Sequence, residues 1–199
     1  MKKAFNQVYQ FKITLRGAKP PIWRRIQVPE SYSFWDLHVA IQDAMGWDDC
    51  HLHSFEIANL SNGLMESIGI PDDDSIWSTD TKAGWKTKIA DFFTIDENNK
   101  ADYTYDFGDG WEHIIKLEKI LPREKGVKYP ICIKGKRACP PEDCGGIWGY
   151  MELLEIISDP DHEEYESMLE WVGGEIDPDH FDVKEVQFSD PAKRLKSAF

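Results

Sequence analysis

The chain has 199 residues and a formal net charge of −13 at pH 7, with 41% hydrophobic residues, 13% aromatic residues and eight Trp. That composition excludes a disordered chain and is enough to bury one sizeable core without help from a metal or disulfides. The acidic balance also opposes general attraction to duplex DNA or anionic lipid, because both depend on Lys and Arg neutralising phosphates.

The first element is 7–16, where Tyr9, Phe11, Ile13 and Leu15 alternate with Val8, Gln10, Lys12 and Thr14. Period two marks a half-buried strand with the first set facing the core. Gly17 to Pro21 turns the chain into a second strand over 22–28, so the opening reads as an antiparallel hairpin. Ser33 is placed as an N-cap, and Phe34, Leu37, Ile41 and Met45 predict an amphipathic helix ending at Gly46. His53–Ile57 then reads as a strand, completing a β-β-α-β opening. The stretch 59–100 predicts loops, one or two short strands and a turn of helix, with Asp72-Asp73-Asp74 as a solvated turn.

Two strands follow, Asp102–Phe107 and Glu112–Ile120, joined by a tight turn at Gly108-Asp109-Gly110. Tyr129–Ile133 predicts a short strand and 137–146 a turn-rich loop. Helical periodicity covers Trp148–Ser158 and Glu163–Trp171, and Phe181–Phe188 fits a last helix or strand. Strands first and helices last indicate α+β. We therefore expect one domain over 1–199, with a β-grasp-like opening in a mixed or antiparallel sheet and a C-terminal helical layer.

No apolar run reaches the ~20 residues of a membrane span, and Met1–Ile13 holds no signal-peptide core. The expected location is the cytoplasm, where Cys50, Cys132, Cys139 and Cys144 stay reduced. Charge is unevenly spread: residues 1–29 hold seven Lys/Arg and no acid, while 138–190 hold sixteen Asp/Glu and one Lys. One reading pairs the basic strands with the acidic C-terminal helices. The other leaves a basic groove around Lys12, Arg16, Lys19, Arg24 and Arg25.

Three groups of segments stand out: Pro21-Ile-Trp-Arg-Arg25 with Gly46-Trp47 and His51-Leu-His53; Tyr105-Asp-Phe-Gly-Asp-Gly-Trp-Glu-His113; and Ala138-Cys-Pro-Pro-Glu-Asp-Cys-Gly-Gly146. Together they resemble the plasmid pRiA4b ORF-3-like family over about 9–186. The resemblance implies proteins scattered through prokaryotic genomes, some carried as passengers of transposon-like elements under a resolvase label, with no established activity. A recombinase needs a nucleophile among several arginines. This chain has only six arginines and no basic tail, so recombination is set aside and specific DNA binding is not expected.

The Cys139–Gly146 loop combines stiff prolines, Glu142, Asp143, two thiols and glycines just before a helix. Such a loop can hold an anion or activate a thiol, or simply cap the helix. Cys132, Cys139 and Cys144 with His53 or His113 supply soft ligands for Zn²⁺, although the Cys-x6-Cys-x4-Cys spacing lacks a knuckle. His51 and His53 would share a strand face if the strand begins at His51. Asp106, Asp109, Glu112 and His113 crowd one hairpin, where hard cations such as Mg²⁺ or Mn²⁺ bind oxygen, although a tight turn demands Asp and Gly in any case.

Trp23, Trp47, Trp77, Trp85, Trp111, Trp148 and Trp171 adjoin turns or element ends, and an indole beside Arg24 and Arg25 suits an anionic or planar ligand. The reading adopted is a non-catalytic binding or accessory module, tied to plasmids or mobile elements. Its partner is a protein or a small anionic or planar ligand, and its contact face lies near Arg24, Arg25, Asp106, Asp109, Trp111, His113, Cys139, Glu142, Asp143 and Cys144. The alternative is a metal-dependent hydrolase or nuclease built on Asp106, Asp109, His113 and Cys139. The Cys139–Gly146 loop is expected to rim the principal pocket opposite Trp111 and His113, with Cys139 or Cys144 more reactive than Cys50.

Overall fold

Alternating apolar residues build a sheet that crosses the whole molecule. The computed structural model describes residues 5–71 and 81–198; Asp72-Asp73-Asp74 and Trp77 therefore lie outside the described residues. The strands are β1 (Gln7–Leu15), β2 (Trp23–Pro29), β3 (His53–Ala58), β4 (Met65–Gly69), β5 (Lys82–Ala83), β6 (Lys100–Tyr105), β7 (Trp111–Pro122) and β8 (Ile131–Lys136). Their order is β5-β4-β3-β6-β7-β1-β2-β8, with antiparallel neighbours except for the parallel β4–β5 pair. The fold is α+β with a mixed sheet. β6 and β7 stand between the opening hairpin and β3, so the first three strands are not consecutive in the sheet.

The predicted register of β1 holds. Tyr9, Phe11, Ile13 and Leu15 are buried in the core with Phe34, Leu37 and Phe93, whereas Gln10 turns to the other face and meets Gln27 and Glu118. Helix α1 (Phe34–Met45) starts on a capping box, Ser33 Oγ accepting from Asp36 N and Asp36 Oδ2 from Ser33 N, and ends at Gly46 in the left-handed conformation. Its apolar stripe was expected to be one-sided. Instead Trp35, His38 and Gln42 are buried too: His38 and Gln42 face the sheet and meet the Tyr103 hydroxyl, with His38 stacked on His53, while the C-terminal segment covers Trp35. Trp35 Nε1 donates to Pro191 O at 3.0 Å, and Arg194 on α4 (Pro191–Ala198) pairs with Asp43 and Asp49.

Among its described residues, the 59–100 stretch contains the short strands β4 and β5 and a 3₁₀ turn at Ile89–Asp91, as its weak patterning indicates. α2 (Gly146–Ser158) and α3 (Tyr165–Trp171) pack on each other. Residues 181–188 form neither helix nor strand. They are held by side chains: the Phe181 ring lies 4.1 Å from the Arg24 guanidinium, and Val186 and Phe188 pack on the core.

The charge expectation needs correcting in its partners. Arg16 pairs with Asp102 and Glu112, and Arg25 pairs with Glu118, so the basic strands find their acids on β6 and β7, not on the C-terminal helices. Arg24 is 2% exposed and donates to Ala44 O, Trp23 O and Lys136 O. The basic groove therefore loses its central residues. Arg24 fastens α1 to the β2–β8 edge, and Arg25 is neutralised.

Candidate functional site: an acidic mouth around His51

Three segments far apart in sequence converge where the sheet meets the loops: the α1–β3 connection, the β6–β7 turn and the Cys139–Gly146 loop. Trp47 is their common anchor. Its indole Nε1 donates to Pro140 O at 3.0 Å, and its ring lies 5.1 Å from Tyr105, 5.7 Å from Trp111 and 5.3 Å from His113. Tyr105 adds a second pin: its hydroxyl donates to Glu142 and accepts from Cys50 N, while Glu142 Oε1 accepts from Asp48 N.

The β6–β7 turn touches the Cys139–Gly146 loop directly. Asp109 Oδ2 accepts from Gly145 N at 3.1 Å, and a Cβ at Gly146 would fall on the Asp109 carbonyl oxygen. Gly146 also has a positive φ of 69°, so this position needs glycine for both conformation and space. The expected meeting of these two segments is thus observed.

At their seam stands His51. Its Nε2 lies 3.0 Å from Asp143 Oδ1, 3.7 Å from Asp106 Oδ2 and 4.0 Å from Glu142 Oε2. That nitrogen is shielded from solvent and makes no aligned hydrogen bond. Asp106 is fixed by the turn, its Oδ1 accepting from Gly108 N and its own N–H donating to Leu52 O. Both Asp106 and Asp143 occupy the left-handed region, with φ of 54° and 55°. On its other side His51 borders a cleft of about 630 Å³ lined by Trp35, Asp48, Asp49, Cys50 and Arg194. This cleft is rimmed by the α1–β3 connection and α4, and no residue of the Cys139–Gly146 loop lines it.

Several expected site residues lie in the interior. Trp111 and His113 are 1% and 0% exposed, so neither faces an open cleft; His113 Nδ1 meets Trp111 O at 2.9 Å, and burial pushes its imidazole down to about 4. His53 is 3% exposed and stacks on His38 with ring centres 3.4 Å apart. β3 begins at His53, so His51 precedes the strand and the two imidazoles diverge. His38 Nε2 lies 2.7 Å from Asp49 Oδ1 and its Nδ1 lies 2.8 Å from Tyr103 Oη. Because the carboxylate only accepts, Nε2 carries the proton and Nδ1 accepts from Tyr103. Burial holds both His38 and His53 well below the ordinary imidazole range.

The thiols do not gather with imidazoles. Cys132 sits on β8, the edge strand opposite β5, with its Sγ 3.7 Å from Lys134 O. Burial pushes the Cys139 thiol up, and burial together with Asp109 and its acidic neighbours pushes Cys144 up to about 12. The start of α2 therefore does not activate them, and Cys50, exposed on the cleft wall, is the more accessible thiol. Among the described residues, the cluster of three metal-type ligands that does close is His51, Asp106 and Asp143. Asp106, Glu142 and Asp143 were legible as candidates. His51 was legible only as a neighbour of His53, and the signal that separates them is the irregular Asp48-Asp49-Cys50 segment after Trp47, which delays the strand.

The comparisons agree with this arrangement of segments. A family model described as plasmid pRiA4b ORF-3-like protein matches residues 7–185. The uncharacterized protein y4hQ of Sinorhizobium fredii is 36% identical over 166 residues, covering 83% of this chain and 81% of that protein. The crystal structure of MM3350 from Methanosarcina mazei Go1, described as a protein of unknown function, is 51% identical with a TM-score of 0.87, covering 93% of this chain and all of the other. Among the described residues, no helix is long and apolar enough to cross a membrane. The matched span contains the hairpin, the Trp47 anchor, the β6–β7 turn and the Cys139–Gly146 loop, and the chain belongs to the plasmid pRiA4b ORF-3-like family.

Proposed function

We propose that the protein is a non-catalytic binding module of the cytoplasm, serving plasmid or mobile-element functions, and that its contact face is the mouth around His51. The observation that carries this reading is the convergence of His51, Asp106, Glu142 and Asp143 from three chain-distant segments onto one rim. The rim is acidic, and exposed Leu52 and Phe107 flank it, 54% and 59% exposed. Such a surface suits a ligand that brings positive charge, with apolar contact beside it. An anionic or planar ligand at Arg24 and Arg25 has less support, since the first is internal and the second already holds Glu118.

The hydrolase alternative keeps its aspartates but loses its imidazole and its thiol. His113 is enclosed, and the thiols of Cys139 and Cys144 are held protonated. A two-armed experiment tests the module. Fluorescence polarisation with a lysine-rich decapeptide and a glutamate-rich one should show binding of the first only, weakened by salt and by Asp106→Asn with Asp143→Asn. Bis(p-nitrophenyl) phosphate with Mg²⁺, Mn²⁺ or Zn²⁺ should show no turnover. Turnover that disappears with Asp106→Asn would replace the module by a phosphodiesterase.

A further inference from the structure

We propose that His51, Asp106 and Asp143 form a binding site for a first-row divalent metal ion, so that the positive charge recognised at the mouth is a coordinated cation. This rests on the mouth being the contact face. Each residue offers one ligand atom, and the three atoms lie within 4.8 Å of one another. Bonds of about 2.0–2.2 Å in a tetrahedral site put ligand atoms about 3.4 Å apart. The observed separations of 3.0 and 3.7 Å from Nε2 bracket that value.

One enclosed nitrogen and one nearly buried carboxylate face each other at the site. His51 Nε2 is cut off from solvent without a hydrogen-bond partner. The Asp106 side chain is only 10% exposed; Oδ1 is satisfied by Gly108 N, while Oδ2 accepts no hydrogen bond and faces Nε2 from 3.7 Å. Leaving a buried nitrogen unpaired is costly, and a cation held between it and the Asp106 carboxylate satisfies it. Asp143 is 69% exposed and forms the solvent side, so an ion has a route in and open positions remain for water or a partner's group. Glu142, gripped by Tyr105 and Asp48 N, adds negative charge at 4.0 Å without being needed as a ligand.

One imidazole with carboxylates is a borderline donor set. It favours Mn²⁺, Co²⁺ or Zn²⁺ over Ca²⁺, which prefers six to eight oxygens. The two carboxylate oxygens already lie 3.0 and 3.7 Å from Nε2 before any ion arrives.

Co²⁺ is the direct probe, because its visible spectrum separates thiolate from nitrogen and oxygen ligands. Untagged, chelator-treated full-length protein should bind one equivalent in calorimetry, without a thiolate charge-transfer band. His51→Gln and Asp106→Asn should each weaken binding at least 10-fold, the loss expected when a coordinating group is removed, with circular dichroism unchanged for His51→Gln. The proposal is overturned if no stoichiometric binding of Co²⁺, Mn²⁺ or Zn²⁺ occurs up to 1 mM, on the order of the weakest sites proteins use, or if His51→Gln binds as tightly as the parent. Peptide binding measured on the same metal-free samples separates the two readings: retained peptide binding without metal binding leaves the module standing and removes only the metal.

Discussion

Two histidines two residues apart, His51 and His53, show how one side chain becomes either packing or a ligand. His53 opens β3, stacks flat on His38 and is closed in with Trp35, Phe55 and Tyr103 around it. His51 sits before the strand, 31% exposed, with carboxylates on three sides. The buried layer of His38, His53 and His113 is neutral because water is excluded from it. The mouth is assembled by loops and exposes its charge. Depth in the sheet, more than residue type, decides the chemistry available.

The largest effect that sharpens this contrast is the pH dependence of stability. All three buried imidazoles have native values below the unfolded value near 6.5, so the unfolded chain binds protons first. Their stability contribution is complete above about pH 6.5 and is lost as pH falls toward the native values. The gap between about 4 and 6.5 makes His113 alone worth about 3 kcal/mol. Urea titrations at pH 7.5 and 4.5 should show a loss of at least that size. A flat profile would mean that these rings are solvated and that the two regions do not differ.

That layer was hidden in the sequence for a physical reason. Hydrophobic alternation exposes a strand's inward face, and it placed Tyr9, Phe11, Ile13 and Leu15 correctly. The cap signals at Ser33 and Gly46 bounded α1. Periodicity assigns polar residues outward, however, and His38 and Gln42 on α1 are inward because both meet the Tyr103 hydroxyl on the sheet, a distant partner that no local pattern marks. Pairing between distant strands was equally unmarked: β6 and β7 insert between β1 and β3 through contacts that no local pattern records. At the mouth, the Asp-Gly turn and the Cys-Pro-Pro loop advertised constrained backbone, and they do meet. Which side chains they present depended on left-handed Asp106 and Asp143, a conformation that local composition does not fix.

An intermediate effect tests whether the mouth depends on the junction beneath it. Gly146→Ala combines a positive φ with a Cβ that collides with the Asp109 carbonyl, so the turn and loop must separate. The expected cost is about 2–4 kcal/mol, by analogy with strained and overpacked sites. Gly173→Ala, also at positive φ but with open space around it, should cost only about 1 kcal/mol. Equal melting-temperature shifts for the two would show that the Asp109 contact has no special role.

The smallest expected effect is the most informative about the mouth. His51→Ala removes a ring that makes no aligned hydrogen bond and is partly exposed, so it should change stability by less than about 0.5 kcal/mol. His53→Ala removes a fully enclosed ring and leaves a cavity under Trp35 and beside His38, which should cost about 2–4 kcal/mol. Guanidinium unfolding of the two variants at pH 7.5 makes the comparison under conditions where the buried rings are neutral. If His51→Ala proved as destabilising as His53→Ala, the carboxylates around His51 would be a structural clasp that needs its imidazole, and the mouth would be holding itself closed. A near-zero cost leaves the opposite account: the fold gains little from bringing three carboxylates to one imidazole, and that juxtaposition is available to a ligand.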